Sequence, residues 1–147
     1  IEELENGYKI FRGLPKAYNI NLENCPDLGP ILTVLSAYGD GEFKIYNAQR
    51  LRYKESDRIE AMENELKKLG VQICSDESNI YIKGNSKYIS CNEVFGHKDH
   101  RIVMSLAIFA TLLDSPLIIE GAEAISKSYP NFFEDLKNLN IKIEITD

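Results

Sequence analysis

The chain has 147 residues, 44% of them hydrophobic and 27% charged, with 23 acidic against 17 basic side chains and a net charge of −6. That length suits one compact domain burying roughly 68–70% of its unfolded surface, and the composition is neither disordered nor low-complexity. The acidic balance argues against a nucleic-acid partner, and no apolar run reaches the about 18 residues of a membrane span.

Three widely spaced cysteines, Cys25, Cys74 and Cys91, form no disulfide framework, fit a reducing cytoplasm and read as small buried apolar groups. The chain starts at Ile1 within a charged stretch and shows no signal sequence, so it reads as a piece of something longer.

Taken in chain order, residues 8–14 and 18–22 are short alternating runs separated by Pro15 and are expected as strands. A helix follows Pro26-Asp27, with Leu28, Ile31, Leu32 and Leu35 on its apolar face, and ends at Gly39 and Gly41. Asp27, at its start, reads as an N-cap or as a carboxylate able to act as a general base. Residues 42–47 read as a strand, 48–53 as a connector and 54–69 as an amphipathic helix stopped by Gly70. A strand pair, 71–74 and 79–83, closes across a polar turn. Then Asp99 opens a second apolar helix, 116–120 reads as a strand, 130–139 as a helix and 141–146 as a strand.

The second half therefore resembles the first. Asp99 matches Asp27 at an offset of 72, and Lys127 matches Lys54 at 73. Pseudo-repeats of about 18–84 and 86–147 are expected within one partial domain, 1–147. Strands alternating with helices suggest crossover units with parallel strand pairs.

Cations cluster despite the acidic balance. Arg50, Arg52, Lys54 and Arg58 crowd one stretch, Lys98, His100 and Arg101 a second, and Lys127 stands alone in a third. All lie at or just before expected helices, where free backbone N–H groups favour anions. Two readings stay open for the first stretch: a solvated helix start with local salt bridges, or an anion site. If the second holds, the ligand is small and carries several negative charges. A metal pair at His97 and His100 is disfavoured, because the chain has only these two histidines and catalytic zinc usually takes three protein ligands. No phosphate-loop, serine-hydrolase or dinucleotide motif is present.

Four segments in order, CPDLGP (25–30), RLRYKESDRIEAMENELKKLG (50–70), DHRIVMSLA (99–107) and KSYPNFFEDL (127–136), resemble the carboxy-terminal part of the 5-enolpyruvylshikimate-3-phosphate (EPSP) synthase family. The resemblance implies repeated βαβαββ units forming part of an inside-out α/β barrel. It implies transfer of the enolpyruvyl group of phosphoenolpyruvate to the 5-hydroxyl of shikimate 3-phosphate, with phosphate released and no cofactor or metal. Asp27, Glu55 and Lys127 match the family's catalytic positions. Asp27 and Lys54 match contacts to shikimate 3-phosphate. Arg58, Arg101 and Lys127 match contacts to phosphoenolpyruvate, with Asp99 and His100 in support. The position where some members hold an Asn contact is Arg50 here. An amino-terminal domain of the same chain would be the missing partner, so these residues alone are expected to fold without turning over. The alternatives are a paralogue using a UDP-sugar acceptor and a non-catalytic binding module.

Overall fold

Two parallel strand pairs, each joined by a crossover helix, organise the chain. The computed structural model describes all residues except Arg12, Asn85, Ser86, Ser90, Asn92 and Asp147. Arg12, within the first expected strand, and Ser86, at the expected start of the second repeat, thus lie outside the described residues.

The chain opens with an antiparallel hairpin, β1 (Glu2–Leu4) and β2 (Gly7–Lys9). Next, β3 (Asn19–Asn21) pairs in parallel with β4 (Glu42–Tyr46), Ile20 facing Ile45. The antiparallel strands β5 (Gln72–Ser75) and β6 (Ile80–Lys83) complete a sheet of order β3-β4-β6-β5. Side chains alternate across it: Ile20, Phe43, Ile45, Ile73, Ile80 and Ile82 are buried, while Glu42, Gln72, Cys74 and Tyr81 are exposed. The crossover helix is α1 (Gly29–Tyr38), and α2 (Arg58–Lys68) connects β4 to β5. In the second half β7 (Glu93–Phe95) pairs in parallel with β8 (Ile118–Glu120) around α3 (His100–Ala110), and α4 (Phe132–Asn138) follows. Short 3-10 turns span Pro26–Leu28, Gln49–Tyr53 and Ala122–Lys127.

Helix α3 joins two cores. Its Ile102, Leu106 and Phe109 pack with the first sheet, α1 and α2. Its Val103 and Ala107 pack with Ile125, Phe132 and Leu136. The helix is thus held on two sides, which fixes its N-terminus relative to α2.

Several expectations need correction. Helix α1 buries Gly29, Thr33, Val34, Ser36 and Ala37, whereas Leu28, Ile31 and Leu35 are exposed. The small face allows close approach: a Cβ on Gly29 would lie 2.5 Å from Leu51 Cδ1. The hydroxyls of Thr33 and Ser36 donate to the carbonyls of Gly29 and Leu32, so their burial leaves no unmet donor. The helix expected over 54–69 begins only at Arg58, because the Asp57 side chain accepts from the N–H groups of Ile59 and Glu60 and caps it there. Residues 141–146 form no strand. The strand β5, by contrast, has a hydrogen-bonding partner in β6, the strand that follows it. Ile141 and Ile143 instead pack against the second core. Of the described residues in 8–14, only the start is strand, within β2. Cys74 is exposed, and Cys25 and Cys91 are half-buried, because Cys74 falls on the outer face of β5.

Candidate active site

Ion pairs bring the starts of α2 and α3 together with the turn before α1, and the candidate side chains come from five places in the chain. Asp27 comes from the 3-10 turn before α1, and Lys54 and Glu55 from the connector before α2. Arg58 is the first residue of α2. Asp99, His100 and Arg101 form the start of α3, and Lys127 ends the third 3-10 turn.

Arg58 lies at the centre, 1% exposed. Its Nε donates to Asp99 Oδ2 at 2.8 Å and its Nη2 to Asp99 Oδ1 at 3.2 Å, a bidentate grip. Nη2 also donates to Glu55 Oε2 at 2.7 Å, and Nη1 to Asp27 Oδ1 at 3.0 Å. One guanidinium thus aligns three carboxylates. Asp99, wholly buried, also caps α3 by accepting the Arg101 N–H, and it accepts the Ser56 hydroxyl at 3.0 Å.

The outer layer is more accessible. Asp27 faces Lys54 Nζ at 3.2 Å and Arg101 Nη2 at 3.3 Å, while Arg101 Nη1 donates to the Asp27 carbonyl. Lys127 Nζ donates to Glu55 Oε1 at 3.0 Å, with its side chain 59% exposed. Beside Asp27 and Arg101 lies a pocket walled by Ile31, Met104, Ser105, Ile108 and Phe132. His100 is buried, and its Nδ1 has no hydrogen-bond partner among the described residues.

Charge compensation sets the protonation states. Burial raises the Asp27 pKa, but Lys54, Arg101 and Arg58 outweigh it and hold the carboxyl below its ordinary value. At Asp99 burial is again opposed, here by Arg58, the Arg101 N–H and Ser56, and the net shift is downward. The Lys127 hydrogen bond is the chief cause of the lowered Glu55 pKa. Burial of Arg58 is outweighed by Asp99, Glu55 and Asp27, so its pKa is raised. All three acids are therefore carboxylates at neutral pH, set against the cations of Lys54, Arg58, Arg101 and Lys127.

All the site residues expected from the sequence gather here, but two readings of them change. Asp27 is not an N-cap: α1 has no side-chain cap, and the Asp27 carboxylate turns to the cations instead. Arg50 and Arg52 leave the cation crowd. Arg52 donates to the carbonyls of Asp76 and Glu77 and to Asp57, and Arg50 to the Glu23 carbonyl. Sequence reasoning passed over Ser56. It sits inside the KESDR motif, but a Ser before a helix cap reads as ordinary helix-start chemistry.

Comparison with known proteins places the fold first. The enolpyruvyl transferase NikO from Streptomyces tendae superposes with a TM-score of 0.70 at 20% identity, covering 90% of this chain and 29% of that one, so the fold is of the enolpyruvyl transferase type. The EPSP synthase of Acinetobacter baumannii superposes with a TM-score of 0.76 at 32% identity, covering 83% of this chain and 29% of its own. The family profile described as EPSP synthase (3-phosphoshikimate 1-carboxyvinyltransferase) matches residues 5–136. The chain belongs to the EPSP synthase family. The 3-phosphoshikimate 1-carboxyvinyltransferase of Clostridioides difficile (strain 630) is 44% identical across 98% of this chain and 33% of its own length. That of Clostridium kluyveri is 41% identical across 98% and 34%. The chain therefore spans about a third of the length of these relatives.

Proposed function

We propose that this chain supplies the phosphoenolpyruvate half of an active site that transfers the enolpyruvyl group to the 5-hydroxyl of shikimate 3-phosphate, in the cytoplasm. The observation that carries the reading is the paired arrangement of Asp27 with Lys54 and Arg101, and of Glu55 with Lys127, on either side of Arg58. Two acid–base groups flanking one anion site suit a reaction that both removes and delivers a proton.

In this reading Arg101 and Lys127 hold the carboxylate and phosphate of phosphoenolpyruvate, and Lys54 holds the acceptor. Arg58 contributes charge from beneath and keeps Asp27 and Glu55 aimed. Asp27 takes the proton of the attacking hydroxyl as its oxygen bonds to the substituted enol carbon. Lys127 delivers a proton to the methylene carbon. Phosphate then leaves that first carbon, and Glu55 takes a proton from the new methyl group, which restores the double bond in the product. The cations stabilise charge on the departing phosphate, where preorganised charge contributes most. His100 and Asp99 position these groups. The remaining contacts to shikimate 3-phosphate come from an amino-terminal domain, so these residues alone fold but do not turn over. The recurring order of strand, helix, strand and helix supports two related units, about 18–84 and 86–147. The exposed Ile31 and Leu35 of α1, with Leu28 just before it, suit packing against a further unit of the same protein.

The test is phosphate release from phosphoenolpyruvate by the complete natural protein, with shikimate 3-phosphate or a UDP-sugar as acceptor. Release that requires shikimate 3-phosphate supports the reading. Release with the UDP-sugar alone, or none from a folded protein, contradicts it.

A further inference from the structure

Glu65 lies outside the ion-pair cluster and is 2% exposed. It sits seven residues after Arg58, two helical turns along the same face of α2. Its Oε2 accepts the Phe95 N–H at 3.0 Å and Lys68 Nζ at 2.6 Å, and its Oε1 lies 2.9 Å from His97 Nε2. The Phe95 and His97 contacts fall on the end of β7 and the turn that leads into Asp99.

That turn is strained. His97 and Lys98 have φ of 53° and 55°, two successive left-handed residues that carry side chains. Such conformations persist where the surroundings hold them. Gly96, just before, has no room for a side chain, since an added Cβ would strike Val103 and lie 3.0 Å from the Glu120 carbonyl oxygen. Asp99 follows directly, with both its oxygens on Arg58 and one on the Arg101 N–H. Helix α2 therefore grips this segment twice: Glu65 at Phe95 and His97, and Arg58 at Asp99.

We infer that Glu65 is a positioning residue for the active site: it holds the 95–98 turn in its left-handed path, and so sets where Asp99 and Arg101 stand relative to Arg58. The inference deepens the proposed function and rests on it only for the identity of the anion. A purely stabilising role is a poor account of a buried carboxylate, because a well-packed apolar side chain of similar volume often serves stability as well or better.

The test uses Glu65→Ala and Glu65→Gln in the complete natural protein. Amide hydrogen exchange is read across residues 96–102, with KM for phosphoenolpyruvate and kcat measured alongside. In Glu65→Ala, exchange rises at least about tenfold in that segment and stays unchanged in β4 and α1. KM rises about tenfold and kcat changes less, as expected for misplaced binding groups. Glu65→Gln keeps an acceptor for the Phe95 N–H and a donor for His97, and it recovers most of both losses. Unchanged exchange in 96–102, loss of protection spread evenly over the chain, or a loosened turn with normal KM each overturns the inference. If the wild-type protein transfers no enolpyruvyl group, the proposed function falls. Calorimetric affinity for inorganic phosphate then replaces KM, and the same outcomes decide the role of Glu65.

Discussion

With Asp99, Asp27 and Glu55 all turned on Arg58, the site's geometry depends on one buried cation. Removing a partner from a buried pair usually costs about 3–5 kcal/mol. For Asp99→Ala we expect about 3 kcal/mol, the low end of that range, because Asp27 and Glu55 remain on the guanidinium. Urea denaturation measures it, and a loss near zero contradicts the central role of the pair. Lys127 and Arg101 are reachable by a ligand, so both alanine variants should weaken phosphoenolpyruvate binding, and Lys127→Ala should also lower kcat through loss of the proton donor. A charge-assisted contact contributes about 1.5–3 kcal/mol, which is roughly ten- to hundredfold in KM. Unchanged KM in both variants would place the anion elsewhere. At this scale the sequence was informative about which residues gather, because the motifs carry them in fixed order. Their division of labour was not legible. Whether Arg58 faces solvent or three carboxylates depends on contacts across 31 and 41 residues of chain, which local spacing does not encode.

Among the elements, the start of α2 matters most, since it places Lys54, Glu55 and Arg58. Asp57 caps it through two backbone N–H groups and also accepts from Arg52 at 2.7 Å. Asp57→Ala should cost about 1–2 kcal/mol, whereas Asp57→Asn retains the cap and costs less. Equal losses from the two variants in thermal unfolding would show that the cap contributes little. Strands and helices with strong periodicity, such as β4, β6 and α3, are recoverable from the sequence. The orientation of α1 is not, because the helix is apolar on both sides and close packing selects the side with Gly29, Ser36 and Ala37. The three-residue β7 is too short to show a period.

Across the whole molecule, the buried and half-buried carboxylates make stability depend on acid. Asp27 and Asp99 titrate below the ordinary Asp value of 3.8, and Glu55 and Glu65 below the ordinary Glu value of 4.5. Groups with a depressed folded pKa contribute stability that is complete above the unfolded value and lost as pH falls through the folded one. These four should therefore leave stability flat above pH 4.5 and lower it progressively in more acid solution. Urea midpoints across that range check this, and no decline in acid would contradict the charge pairing.

The central claim is that Asp27 serves as the base in enolpyruvyl transfer. The direct measurement is phosphate release dependent on shikimate 3-phosphate, by the complete natural protein and its Asp27→Asn variant. Loss of general-base catalysis lowers kcat by about 10²–10⁴-fold. Affinity for phosphoenolpyruvate should hold or tighten, because Lys54 and Arg101 lose a competing carboxylate. Near-normal turnover in Asp27→Asn would contradict the account.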